Sequence, residues 1–206
     1  MREALNLFIV AAAERVETAW WPRRLCGPSL PELNMKSHQL FAAMTPALAA
    51  EVLEFAFSSD KKLYHAALEA VAQARKLRPV FLERQPRAER NASMLSFLAR
   101  PALEVVSDNL LRAWLLKKHT AVLTDFLDAL KIPHEKGVVE DLPQSIDDAT
   151  LQSAIEALLQ KHPTELAAVY LNAFSDMNEA RWPNLEARLR DDPRLALTPA
   201  PAVPHH

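Results

Sequence analysis

The chain has 206 residues, of which 50% are hydrophobic and 24% are charged, and its formal net charge is −2. This composition is typical of a globular protein and excludes a disordered chain. The sequence holds only 2 glycines but 15 prolines, and it has no alternating runs of β-branched residues that would indicate strands. It therefore predicts an all-α fold, a compact antiparallel bundle of nine or ten helices punctuated by prolines.

The first helix is predicted in MREALNLFIVAAAERVETAWW, residues 1–21. This segment mimics a signal peptide, but its apolar residues continue at helical spacing beyond the Ala-Ala-Ala run, so we interpret it as part of the folded domain. No stretch of the chain reaches the roughly 18 uninterrupted apolar residues that a membrane span needs. We expect a soluble, cytoplasmic protein with no membrane partner.

The connection after this helix, AWWPRRLCG, carries a candidate binding site at Trp21 and Arg23. Adjacent tryptophans on a helix point about 100° apart, so Trp20 can pack in the core while Trp21 anchors a partner. The alternative is that both tryptophans pack under the following loop. Cys26 is the single cysteine, so an internal disulfide is excluded and a reducing compartment fits best. We interpret Cys26 as an inert small side chain.

Prolines and capping residues mark the starts of the later helices. Each predicted start has a proline in the first turn or a short polar side chain that can accept a hydrogen bond from the first amides. The predicted starts are Thr45-Pro46, Ser59 or Asp60, Pro79, Pro86, Pro101, a capping box at Ser145 and Asp148, Pro163 and Pro183.

These helices predict one domain at residues 1–192, and a subdivision near residues 86–100 or 133–144 is the alternative. Residues 193–206 are predicted to form a Pro-rich tail. Its final pair, His205-His206, belongs either to the protein or to an expression tag.

Residues 45–58 and 162–175 align without a gap, from Pro46 with Pro163 to Phe57 with Phe174. The similarity indicates either loosely repeated helical hairpins or chance resemblance between helix starts in an Ala-rich chain. The second of these segments is apolar on nearly every side, so its helix should lie in the middle of the bundle.

The segment at residues 117–143 holds residue types that could bind a metal or exchange protons. His119 projects onto the apolar face of the predicted helix, whereas Asp125 and Asp128 fall on the opposite face, so the three cannot converge on one ion. His134 follows in the loop. The chain also lacks paired histidines four residues apart, a nucleophile elbow and a phosphate-binding glycine loop. The sequence therefore predicts no metal, no cofactor and no catalytic residue.

Two local features are predicted within the same segment. The apolar positions change phase after Leu115, which predicts a kink or a short helix break near residues 117–120. Gly137 is predicted to form the turn that follows the helix.

The strongest surface signal is the Arg-rich segment, ARKLRPVFLERQPRAERN, residues 74–91. Residues 75–134 carry eleven basic and six acidic side chains, whereas residues 135–206 carry six basic and twelve acidic ones. Arginine suits anionic partners because its planar guanidinium group can donate two parallel hydrogen bonds to a carboxylate or phosphate. The predicted binding residues are Arg75, Arg78, Arg84, Arg87 and Arg90, with Lys76 beside them.

Two alternatives apply to this segment. Its charges either form a solvated face with local pairs such as Glu83 with Arg87, or are covered by the acidic end of the chain. Phe81 is expected to pack in the core with Val80 and Leu82. Aromatic stacking of bases then has little support, and we do not expect a nucleic-acid partner.

The sequence as a whole predicts a non-enzymatic protein that binds an acidic protein or another anionic partner through the Arg-rich segment. The alternative is a helical enzyme or small-molecule-binding protein whose pocket between helices is lined by Trp and His. A homodimer is compatible with either interpretation.

Overall fold

The computed structural model describes residues 34–198 of the chain. In this part of the protein 71% of the residues are helical and no strand occurs, which confirms the predicted all-α fold. The first predicted helix and Trp21, Arg23, Cys26 and His205-His206 lie outside the described residues.

Ten α-helices occupy the described residues. A single 3-10 turn at Pro101–Leu103 precedes the sixth. In chain order the helices are α1 (Ser37–Ala43), α2 (Pro46–Ser59), α3 (Lys61–Ala74), α4 (Pro79–Glu83), α5 (Arg87–Leu98), α6 (Glu104–Lys118), α7 (Thr120–Ala129), α8 (Asp148–Lys161), α9 (Thr164–Met177) and α10 (Pro183–Asp191).

Most predicted helix starts agree with the structure. The side chains of Thr45 and Asp60 accept hydrogen bonds from the first-turn amides of α2 and α3. The predicted capping box at Ser145 and Asp148 is wrong. The residue directly before α8 is Asp147, whose carboxylate accepts a hydrogen bond from the Thr150 amide at 2.8 Å.

Helix α1 was not predicted, because seven residues are too few to display a helical period. Its first amides are capped from a distance by Glu104, the first residue of α6. The Glu104 carboxylate accepts from the amides of Ser37 and His38 at 3.0 and 2.9 Å and contacts the His38 ring at 2.5 Å. A side chain 66 residues away therefore stabilises the start of this helix.

The predicted break near residues 117–120 is confirmed. Helix α6 ends at Lys118, His119 has a non-helical backbone conformation, and α7 begins at Thr120. The break lets both helices turn their apolar faces toward one core.

Helix α9 lies in the middle of the bundle, as its sequence predicts. Ten consecutive residues of α9 are buried, from Leu166 to Ser175. Eight of these ten residues join one hydrophobic cluster to which all ten helices of the described region contribute. The packed region extends to Leu195, which is fully buried and whose carbonyl accepts from Asn172 Nδ2 at 3.2 Å.

The helices differ in how deeply they are embedded. Helix α6 packs against α1, α2 and α3, whereas the five-residue helix α4 packs mainly on α3. Helix α4 therefore lies at the edge of the bundle, and the Arg-rich segment surrounds it. None of the helices in residues 34–198 is both long enough and apolar enough to span a membrane.

Candidate functional site

The Arg-rich segment begins where α3 ends, in a tight helix-terminating turn. The Leu77 amide donates to the Ala72 carbonyl at 2.8 Å and the Lys76 amide donates to the Gln73 carbonyl at 2.9 Å. This pattern is the Schellman motif, which requires a left-handed residue at the position of Lys76. Lys76 accordingly has φ +57°. The turn ends α3 and leads the chain into α4, which packs on α3.

Helix α4 has one buried residue, Leu82, which is fully buried and packs in the core. Its neighbours Val80 and Phe81 are 39% and 55% exposed, and Leu77 in the preceding turn is 38% exposed. The expectation that Val80 and Phe81 pack in the core is therefore wrong. A five-residue helix on the surface of α3 can direct only one side to the core, and Leu82 occupies it. We call Leu77, Val80 and Phe81 the apolar face.

Three of the predicted binding arginines contact other helices of the same protein, and Arg87 is the first. Its guanidinium group forms an ion pair with Glu54 on α2 and lies 4.1 Å from the centre of the Phe57 ring. Glu54 also accepts from Asn91 Nδ2 at 3.0 Å. Arg87 therefore connects the start of α5 to α2.

Arg90 connects α5 to both α3 and α4. Its Nε donates to the Tyr64 hydroxyl at 2.9 Å, and its Nη1 donates to the Glu83 carbonyl at 2.9 Å. The Glu83 carbonyl belongs to the last turn of α4, which a helix leaves without an internal partner. Arg90 thus supplies a hydrogen bond that holds α4 in place.

Arg75 forms the third connection. Its Nη1 donates to Ser93 Oγ at 2.5 Å and its guanidinium lies 5.8 Å from the centre of the Phe97 ring, both on α5. We call Arg75, Arg87 and Arg90 the clamp arginines, because each joins α5 to another helix.

The other three basic residues of the segment, Lys76, Arg78 and Arg84, point to solvent. All three are exposed, and their side chains have no ion pair, hydrogen bond or ring contact with the residues that the structure describes. We call them the free cations. The nearest acidic side chain in sequence is that of Glu83, whose carboxylate is directed toward His65 at 4.0 Å.

Within the described residues, the acidic end of the chain forms no ion pair with Lys76, Arg78 or Arg84, and several of its carboxylates bind other residues. Glu156 and Asp192 bind Arg194, and Asp176 binds Lys36. Of the two alternatives for the Arg-rich segment, coverage by the acidic region is therefore excluded for residues 135–192.

The histidines and aspartates of residues 117–143 do not converge on one site. His119 contacts Glu51 at 2.9 Å, His134 contacts Asp128 at 3.1 Å, and Asp125 contacts His162 at 2.8 Å. Burial alone would raise the pKa of Glu51, but hydrogen bonds from Lys118, His119 and Trp114 outweigh it and lower that pKa. In the described part of the chain, no three His, Cys, Asp or Glu side chains are placed to hold a metal ion.

A groove between α2 and α6 can be compared with the predicted small-molecule pocket lined by Trp and His. It encloses about 430 Å³ and is lined by Glu54, Phe55, Ser58, Ser59, Lys117 and Lys118. Neither Trp nor His lines it. Trp114 is fully buried instead, and its Nε1 donates to Glu51 at 3.2 Å. This groove therefore does not have the lining that the alternative requires.

Sequence reasoning identified the basic segment but not the residues that complete its surface. The exposed Leu77, Val80 and Phe81 were assigned to the core or left out, since the sequence alone does not indicate which side of α4 faces α3. No protein-family model, curated protein or solved structure matches this chain. A functional assignment therefore depends on the chemistry of the surface itself.

Proposed function

We propose that this protein is a non-enzymatic binding protein whose α3–α4 corner, residues 76–84, docks an acidic protein partner. The observation that supports this best is that the three free cations and the three exposed residues of the apolar face are interspersed within nine positions. An unpaired cation at a surface attracts carboxylates, and exposed apolar side chains gain free energy when a partner covers them.

A protein fits this surface better than nucleic acid does. Binding of single strands relies on aromatic stacking beside a basic groove. The corner offers one exposed aromatic ring, Phe81, flanked by the aliphatic side chains of Leu77 and Val80. Aliphatic side chains contribute little to base stacking but pack well against Leu, Ile or Phe of a protein.

Helix α4 is held in position before any partner arrives. Leu82 anchors it to the core, and Arg90 binds its last turn. A preorganised surface loses less conformational entropy on binding than a mobile loop does. Arg90 therefore supports the site by fixing α4 rather than by contacting the partner.

The test begins with affinity capture by the full chain from its source cell, followed by purification of the captured protein and measurement of its Kd. The charge-reversed pair Arg78→Glu and Arg84→Glu should weaken binding about tenfold or more, and binding of the parent should weaken as salt rises. The matched control reverses two exposed arginines on and beside α10, with Arg181→Glu and Arg188→Glu, and should leave Kd unchanged. Equal loss in both pairs would mean that only net charge matters and would refute the proposed site.

A further inference from the structure

We infer that the partner contributes a short amphipathic helix, with one or two large apolar side chains flanked by Asp or Glu, that seats its apolar side on Phe81, Val80 and Leu77. This inference depends on the proposed function and specifies the partner at the same surface. Its occupant follows from charge complementarity, since three exposed cations lie within the same nine positions as the apolar face and lack a partner in the described region.

The exposure of Leu77 is unusual for its place in the fold. Helix α7 ends in the same Schellman motif, with Lys131 in the left-handed position and the Ile132 amide donating to the Leu127 carbonyl at 2.9 Å. The apolar residue after the left-handed position normally packs back on its own helix. Ile132 does so and is 5% exposed, whereas Leu77 is 38% exposed. The α3 end thus leaves uncovered a side chain that the α7 end buries.

The positions of the cations set the length of the occupant. Arg78 directly precedes the first residue of α4 and Arg84 directly follows its last residue. A helix rises about 1.5 Å per residue, so the six steps from Arg78 to Arg84 span about 9 Å, and the two side chains flank Val80 and Phe81. This distance suits about two turns of a partner helix, with apolar anchors three or four residues apart and carboxylates beside them.

A second copy of the same surface is a poor occupant. Pairing two α3–α4 corners would bring six unpaired cations together around one apolar contact, and like charges at an interface oppose association. A short acidic segment neutralises the cations and covers the apolar face in a single contact.

The inference can be tested by selecting from a random library of peptides of about 16 residues, roughly four helical turns, on the immobilised full chain. Selected peptides should be rich in Asp and Glu and should carry Leu, Phe or Trp at spacings of three or four. Phe81→Ser should weaken their binding about tenfold, because truncation of a central anchor removes much of the affinity. The matched control is Val105→Ser on α6, whose side chain is 73% exposed, and it should bind as the parent does.

Several outcomes would overturn this inference. Selected peptides that lack acidic residues, or that bind Phe81→Ser as tightly as the parent, would do so. Displacement of the peptides by oligo(dT) or by phosphatidylserine vesicles, but not by an acidic peptide, would assign the surface to another class of partner. If binding of the captured protein depends on Arg78 and Arg84 but not on Phe81, the inference of an amphipathic helix is wrong while the proposed function stands. If the captured protein depends on none of the three, both fail.

Discussion

Lys76 and Lys131 occupy equivalent positions at the ends of α3 and α7. Each adopts a left-handed backbone conformation, with φ of +57° and +59°, in a turn that glycine usually closes. The chain has only 2 glycines and uses lysine at both places. A residue with a Cβ is strained by roughly 1 kcal/mol in this conformation.

Lys131→Gly should therefore stabilise the protein by up to about 1 kcal/mol, measured by urea unfolding. Lys76→Gly should have a similar effect on the free energy of unfolding but should also weaken partner binding, because it removes one free cation. A loss of stability in Lys131→Gly would show that its side chain contributes more than the strain costs.

Arg90→Ala should lower the free energy of unfolding by about 1–3 kcal/mol. The substitution removes hydrogen bonds to the Tyr64 hydroxyl and the Glu83 carbonyl, and the second of these fixes the last turn of α4. Its matched control is Arg84→Ala, for which a change within about 0.5 kcal/mol is expected because Arg84 is exposed and unpaired in the described region. Chemical denaturation of both variants measures the difference, and equal effects would contradict the separation into clamp and free residues.

The sequence was sufficient to predict most of the fold, since the relevant signals are local. Prolines and caps lie within a few residues of the helix starts they define, as Thr45 and Asp60 illustrate. The break at His119 was also predictable, because it appears as a change of phase in one stretch of apolar residues. Helix α1 was not predicted because it is too short to show a helical period and because the carboxylate that caps it, Glu104, lies 66 residues away.

The candidate site was less predictable because it also depends on contacts between residues that are distant in the sequence. The arginines of the segment are chemically identical in the sequence. Residues distant in the sequence determine which of them form contacts with other helices. Arg87 finds Glu54, which is 33 positions earlier in the sequence. The sequence also could not indicate which side of α4 faces the core, because five residues are too few to define a helical face.

Gly137→Ala should destabilise the protein by about 2–3 kcal/mol. Gly137 has φ +85°, and a Cβ there would lie 2.9 Å from the Leu123 Cβ, which belongs to the backbone-proximal part of α7 and cannot rotate away. Strain and overpacking therefore add. Thermal unfolding of the variant checks this. A Gly137→Ala variant as stable as the parent would contradict the clash.

Glu104→Gln should make stability less sensitive to acid. Burial alone would raise the pKa of Glu104, but hydrogen bonds from the His38 amide and ring and from the Ser37 amide outweigh it and lower that pKa below the ordinary 4.5. The ionised carboxylate therefore stabilises the fold above pH 4.5, and this contribution is lost as pH falls through the lowered pKa of the folded state.

Unfolding measured from pH 7 to pH 3 should show that Glu104→Gln is about 1–3 kcal/mol less stable than the parent at neutral pH and that the two curves converge in acid. The exposed Glu69→Gln on α3 serves as the control and should follow the parent throughout. Parallel curves for Glu104→Gln and the parent would contradict this role of the carboxylate.

The central claim is that the Arg-rich segment divides into clamp arginines and free cations, and one paired measurement tests it most directly. Two double variants are compared: one combines Arg78→Ala and Arg84→Ala, and the other combines Arg75→Ala and Arg87→Ala. For each variant we would measure the Kd of the captured partner and the free energy of unfolding. The first pair should weaken binding at least about tenfold and change stability by less than about 1 kcal/mol. The second should lower stability by about 1–2 kcal/mol and leave Kd within about twofold of the parent under native conditions. The reverse pattern, or equal loss of binding in both pairs, would contradict the claim.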